Sequence, residues 1–300
     1  MRPTLADELN RRTVVLDGGL ATLLEAHGQD LSSSLWSARL LADDPAAVQS
    51  AHAEFYAAGA EVAITASYQA SFSGLAGIGI DGAGATRLIR RSCEIADAAR
   101  HSMPGDRWVA ASVGPYGAAL ADGSEYRGDY GLDVDQLRRW HRPRLRVLMQ
   151  AVADGLADVL AIETIPSAAE AEALLAELQG TGIPAWLSFT CIDGRTRTGE
   201  RAEDAFALAR GINEVFAVGV NCCPAEDVAE LAAAASNTSG LPAVVYPNSG
   251  ELWDADARRW TGDPIVDPAL VPAWVDAGAA LIGGCCRVLP SAISAIAAAV

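Results

Sequence analysis

Residues 159–180 read VLAIETIPSAAEAEALLAELQG. The first six, VLAIET, form a near-continuous apolar run of strand-favouring residues. Pro166-Ser167 then gives a helix N-cap signal, an Ala- and Leu-rich stretch follows, and Gly180 stops it. A strand that is apolar throughout belongs in a parallel sheet covered on both faces, since a sheet with one wet face alternates.

The same unit recurs along the chain. Comparable runs stand at 14–19 (VVLDGG), 62–67 (VAITAS), 108–114 (WVAASVG), 185–190 (AWLSFT), 216–222 (FAVGVNC), 243–248 (AVVYPN) and 280–286 (ALIGGCC). Helical spacing marks 45–59, where Val48, His52, Phe55 and Tyr56 share a face, and also 133–155 (the longest), 167–178, 225–235 and 290–299. Eight strands alternating with helices in 300 residues predict an α/β protein, a single (β/α)8 TIM barrel with one domain over 1–300. An open doubly wound sheet is the alternative topology. GIGIDGAGA at 77–85 reads as a loop because its glycines are irregularly spaced. The polar, turn-rich segments 117–131, 191–201 and 249–267 would crowd the C-terminal rim of a barrel, where active sites form.

Composition removes several classes of function. With 22 basic against 38 acidic residues the net charge is −16, which argues against a binder of nucleic-acid phosphates. All the basic residues are Arg. Without lysine there is no Schiff-base aldolase, pyridoxal phosphate enzyme or P-loop. No G-x-G-x-x-G follows the first strand. MRPTLADELNRR carries no apolar stretch behind its charges, and Gly, Pro or a charge interrupts every long apolar run. Neither a signal peptide nor a membrane partner is therefore expected. Two adjacent cysteine pairs make a poor disulfide framework, so the expected setting is reducing and cytoplasmic.

Three of the six cysteines end strand-like runs: Cys222 follows Gly-Val-Asn, and Cys285-Cys286 follows Gly-Gly. In a barrel these thiols share one rim, and Gly283-Gly284 offers backbone angles that turn both neighbours inward. Three thiolates with one open position suit a catalytic zinc. Ordinary buried cysteines or a redox-active vicinal pair at Cys285-Cys286 are the other readings. Cys93 and Cys191 read as structural. Asp17 and Glu163 also stand at strand ends, where a carboxylate needs a partner. That partner is either a cationic ligand group, such as an ammonium, or one of the arginines. His27, His52, His101 and His141 all fall on or just past helices, so none is expected to be catalytic.

Taken together, LDGGLATLLEAHG, LWSARLL, ITASYQAS, SVGPYGAALADGSEYRGDYG, HRPR, AIETIP, GVNC, VVYPNSGE and LIGGCCR resemble the homocysteine S-methyltransferases, within them most closely those that use S-methylmethionine. The pairing of GVNC with GGCCR is the specific part. The resemblance implies one Zn²⁺ held by Cys222, Cys285 and Cys286, with Cys223 an additional thiol. It implies that Asp17 and Glu163 hold the homocysteine ammonium, that Gly18-Gly19 and Thr65 lie near its carboxylate, and that Asn221 and Asn248 shape the pocket near the metal. The substrates would be homocysteine and a sulfonium: S-methylmethionine, or chemically similar S-adenosylmethionine, with betaine used by a related branch. Trp36, Tyr116 and Tyr126 are candidates to face the sulfonium, and segment 117–131 is the candidate for closing over the donor. The competing functions are a zinc- or redox-sensing thiol protein on a barrel, and a different barrel enzyme whose cysteines are merely buried.

Overall fold

The computed structural model describes residues 2–31, 36–254, 259–261 and 266–300, with side chains described throughout except at 36–39, 252–254 and 259–261. Eight parallel strands build its main sheet: β1 (Val14–Val15), β2 (Val62–Ile64), β3 (Trp108–Val113), β4 (Val159–Ile165), β5 (Ala185–Phe189), β6 (Val215–Asn221), β7 (Ala243–Tyr246) and β8 (Ala279–Ile282). The neighbour order is β1-β8-β7-β6-β5-β4-β3-β2. The two ends of that order meet through a parallel bridge between Leu16 and Val62. Hydrogen bonds from Asp17 N to Val62 O (3.0 Å) and from Glu61 N to Val15 O (2.8 Å) close the seam. Closure in chain order is a barrel and excludes the open doubly wound sheet, whose strand order reverses.

Alternation along each strand divides the apolar residues into two cores. Val14, Leu16, Trp108, Ala110, Val159, Ala161, Trp186 and Val244 fill the barrel, whereas Val15, Val109, Leu160, Leu187 and Val245 pack outward against the helices. This two-sided burial is why the runs carry almost no polar residue until their ends. The N-terminal helix Leu5–Leu9 adds Leu5 and Leu9 to the inner core beneath the strand starts. Trp108 Nε1 donates to Pro3 O at 3.2 Å and ties that segment down.

Carrying the inward parity one step further, towards the C-terminal ends, gives Ser112, Glu163, Ser188, Asn221 and Tyr246. These polar side chains are all buried, and they link across strands. Ser188 Oγ lies 2.7 Å from both Asn221 Oδ1 and Tyr246 Oη, Trp186 Nε1 donates to Tyr246 Oη at 3.0 Å, and Ser112 Oγ donates to Glu163. An apolar plug capped by a polar layer therefore sets the floor of any site on this rim.

The predicted helix signals hold at several ends. Ser167 Oγ accepts from Glu170 N at 3.2 Å and starts Ala168–Leu178. Asp133 and Gln136 form a capping box at the start of Val134–Ala153. The reading of 77–85 as a loop holds for 78–81, between two helices, and needs correction from Gly82 onward. Asp81 Oδ1 caps Gly84 N at 2.7 Å, and Gly82–His101 is a helix as long as Val134–Ala153. The cap and the amphipathic pattern that follows outweigh the poor helix propensity of Gly82 and Gly84. Among the described residues no helix is long and apolar enough to cross a membrane.

Candidate metal centre and substrate cavity

Cys222 follows β6 directly, and Cys285 and Cys286 sit in the turn after β8. Their Sγ atoms all lie within 4.8 Å of one another, with Cys285–Cys222 at 3.1 Å and Cys222–Cys286 at 3.5 Å. No disulfide joins them. The spacing is close to the roughly 3.8 Å edge of a tetrahedron with ~2.3 Å zinc–sulfur bonds. Three sulfurs converging on one point with a fourth direction open to the cavity fit a thiolate-bound metal. Cys285 Sγ donates to Cys222 Sγ, and hydrogen bonding within the cluster favours the thiolate of Cys286.

The turn is positioned differently from the sequence expectation. Neither Gly283 nor Gly284 adopts a positive φ; that conformation falls instead on Cys222 (53°) and Arg287 (66°). The glycines are required by crowding. A Cβ on Gly283 would stand 2.6 Å from Leu16 Cβ, and one on Gly284 would stand 2.1 Å from Val288 Cγ1. Backbone bonds from Cys285 N to Pro247 O (2.8 Å) and from Cys286 N to Asn248 Oδ1 (3.1 Å) fix both cysteines. Asn248 thus acts on the site through the Cys286 backbone and does not line the cavity. Cys223 is 1% exposed and packs in the outer core, apart from the thiol cluster.

The thiols form one wall of a cavity of about 260 Å³, whose other walls include Gly18, Gly19, Thr65, Glu163 and Tyr246. Among the described residues no arginine pairs with Asp17 or Glu163, so the salt-bridge alternative is not realised. Asp17 Oδ2 accepts from Ile64 N at 2.8 Å, but its buried Oδ1 has no partner. Burial raises the Asp17 carboxyl well above its usual range and Glu163 to about 7, the latter against hydrogen bonds from Ser112 and Tyr246. Two buried carboxyls short of a cation are suited to an ammonium. Thr65 Oγ1 accepts from Ser112 N at 3.0 Å and lies 2.8 Å from Ser67 Oγ. A Cβ on Gly18 would meet Val288 O at 2.4 Å, and one on Gly19 would meet Cys285 O at 2.6 Å, so both positions require glycine.

Asn221 lies beneath the cavity wall. It grips Thr164, which does line the cavity and holds a left-handed φ of 59°. Its Nδ2 is 4.0 Å from Cys285 Sγ, which connects the polar layer to the thiols.

Sequence reading did not single out Tyr68, Gln69, Glu125 or Thr164, all of which line the cavity. Tyr126 of the same turn as Glu125 enters it, with Oη 3.3 Å from Cys222 Sγ and Arg197 5.4 Å from its ring. Glu125 and Tyr126 lie inside segment 117–131, and Tyr68 inside ITASYQAS. A charged or aromatic residue flanked by Gly and Asp in a long rim loop was the available signal. Tyr116 packs instead between Tyr130 (5.1 Å) and Trp140 (4.9 Å), outside the cavity lining. Trp36 belongs to the helix Trp36–Asp43, but its side chain lies outside the described residues. No histidine lines the cavity: His141 is buried against Glu170 (2.7 Å) and Arg144 (2.8 Å).

Comparison with known proteins bears on this geometry. A family profile described as homocysteine S-methyltransferase matches residues 14–300. The homocysteine S-methyltransferase of Escherichia coli (strain K12) is 45% identical over 296 residues, covering 94% of each chain. Homocysteine S-methyltransferase YbgG of Bacillus subtilis (strain 168) is 43% identical, covering 95% of this chain and 93% of that one. Among solved structures, the metallated form of the homocysteine methyltransferase MmuM from Escherichia coli superposes with a TM-score of 0.86. It is 41% identical and covers 97% of this chain and 98% of that one.

Proposed function

This chain belongs to the homocysteine S-methyltransferase family, and from that premise we propose that it moves a methyl group from S-methylmethionine to homocysteine, with zinc as its metal. The observation that carries the reading is the convergence of three thiols within 4.8 Å at the wall of a cavity that the buried Glu163 also lines, with buried Asp17, whose Oδ1 has no partner, preceding the lining residue Gly18. Cys222, Cys285 and Cys286 would hold the zinc. Bound there, it supplies a Lewis acid that keeps a coordinated substrate thiol deprotonated at neutral pH.

The chain's own residues do the rest. Three thiolate ligands outweigh the charge of a dication, so the site favours an electron-rich substrate sulfur. Asp17 and Glu163 take the homocysteine ammonium, while the Gly18-Gly19 backbone and Thr65 border its carboxylate. Asn221 and Asn248 act one step back, by fixing Thr164 and Cys286. In the transfer, a lone pair on the homocysteine sulfur forms the new S–C bond as the sulfonium C–S bond breaks. The bonding pair returns to the departing sulfur, which leaves as a neutral thioether. No proton has to reach that leaving group, so a cavity without histidine is adequate. Positioning and charge complementarity are what remain for the protein to supply. Six free cysteines support a reducing, cytoplasmic setting.

The test is methionine formation from homocysteine with S-methylmethionine, S-adenosylmethionine or betaine, on zinc-loaded protein and after chelation. Turnover is expected to be fastest with S-methylmethionine, to vanish on chelation and to return with zinc. No methionine from either sulfonium would overturn the reading.

A further inference from the structure

We propose that Glu125 forms the donor's cation site, its carboxylate facing the sulfonium in the cavity that the thiol cluster also lines; this rests on the reading above. Glu125 lies in the short turn Ser124–Tyr126 and lines the cavity beside Cys222 and Cys286. Its Oε2 is buried and has no hydrogen-bond partner. No arginine forms an ion pair with it among the described residues; Arg127, two positions on, pairs with Asp122 at 3.8 Å and acts on Glu125 only as a more distant charge. The turn is built to bring it there. Gly123 has a φ of 77°, Asp122 Oδ1 accepts from Ser124 N at 2.9 Å, and a Cβ on Gly117 would stand 2.4 Å from Glu125 N.

Charge explains why an acid at this place points to a cation. A thiolate centre around a dication is already negative, and Glu125, with its buried, unpartnered Oε2, shares the same cavity. A further anion beside it is costly unless a positive group lies between them. Homocysteine brings a single ammonium, for which Glu163 and the adjacent buried Asp17 are already assigned. The donor brings an α-ammonium of its own and the sulfonium, and of these two only the sulfonium has to reach the thiol cluster, whose cavity Glu125 lines. Tyr126 adds its ring to the same wall, in keeping with the attraction of aromatic faces for onium cations. Glu125 would hold the charged donor and release it once transfer has made it neutral.

Glu125→Gln keeps the shape and removes the charge. On zinc-loaded protein at saturating homocysteine, it is expected to raise the KM for S-methylmethionine by about 30-fold or more, as loss of a buried charge partner does. Zinc content and the Kd of homocysteine should stay within twofold of wild type. The discriminating probe is 2-amino-5-methylhexanoate, which replaces the sulfonium by a neutral CH. As a competitor of the donor it should bind Glu125→Gln as well as wild type, and Glu125→Asp should recover part of the lost affinity for S-methylmethionine. An unchanged KM in Glu125→Gln overturns the assignment. A parallel loss of the neutral analogue, of zinc or of homocysteine also overturns it, since shape or another ligand would then be the cause. If wild type itself makes no methionine from a sulfonium, the functional reading has failed first.

Discussion

Asn221 holds Thr164 from both sides: its Oδ1 accepts from the Thr164 backbone N at 2.7 Å, and its Nδ2 donates to Thr164 Oγ1 at 2.7 Å. A β-branched residue with φ near 59° is strained, and such strain persists only where neighbours over-determine it. Asn221 is completely buried and also accepts from Ser188 Oγ. Removing it strands Thr164 N in an apolar setting. Asn221→Ala should lower stability by about 2–4 kcal/mol, measured as a lower urea midpoint with an unchanged slope. It should also raise the KM for homocysteine, because Thr164 is then free to leave the cavity wall. A change below about 0.5 kcal/mol would mean that Thr164 needs no clamp.

The thiol geometry separates cysteines that the sequence places side by side. Cys222→Ser and Cys286→Ser should each lower bound zinc below one equivalent and remove methionine synthesis, since softer thiolate coordination is lost. Cys223→Ala should keep full zinc content and turnover, at a stability cost of about 1 kcal/mol for a small buried side chain. Atomic absorption on dialysed protein decides the matter. Zinc lost from Cys223→Ala would mean that the cluster is drawn around the wrong sulfur.

Crowding at Gly284 gives a test with a built-in rescue. A Cβ there would overlap Val288, with the nearest atom at 2.1 Å, so Gly284→Ala should displace the turn bearing Cys285 and Cys286. Overpacking of this kind costs about 1–3 kcal/mol, and zinc affinity should fall with it. Adding Val288→Ala makes room, so the double variant should bind zinc more tightly than Gly284→Ala alone. No recovery would show that Gly284 is needed for its backbone and not for space.

The barrel was legible because its strands are continuous and each ends at punctuation, as VLAIET does before Pro166-Ser167. Parity along the strands also reaches into the site: Ala161 inside predicts Glu163 inside, and Ala217 predicts Asn221. What could not be read is how residues act on one another after those strands end. Asn248 holds the Cys286 backbone, Gly283 packs on Leu16 from the far end of the chain, and Gly284 packs on Val288 only because the turn between them folds back. Glu125 enters the cavity because Gly117 lets its turn approach, a contact that no periodicity encodes. The salt-bridge alternative for Asp17 and Glu163 was open in the sequence because 22 arginines were available, and only their positions could decide it.

If Glu163 holds the ammonium as proposed, it ties substrate recognition to stability, with opposite signs. Its folded pKa of about 7 lies above the ordinary 4.5, chiefly through burial. Between those values the folded, substrate-free protein therefore binds more protons than the unfolded chain, and stability falls as pH rises through this window. Below pH 4.5 the group makes no difference, and above about 7 the full penalty of roughly 3 kcal/mol is present. Glu163→Gln removes the ionisation, so at pH 8 the substrate-free variant should be more stable than wild type, while near pH 4.5 the two should converge. On the proposed role of Glu163 homocysteine reverses the advantage: its ammonium would need the ionised carboxylate, so wild-type affinity should weaken as pH drops from 7.5 to 5.5. In Glu163→Gln binding should be weaker throughout and its pH slope shallower, with the slope that remains belonging to the substrate thiol and to Asp17. Thermal unfolding and calorimetric titration over that range measure both effects. Equal stabilities at pH 8, or parallel binding slopes, would remove Glu163 from the ammonium site.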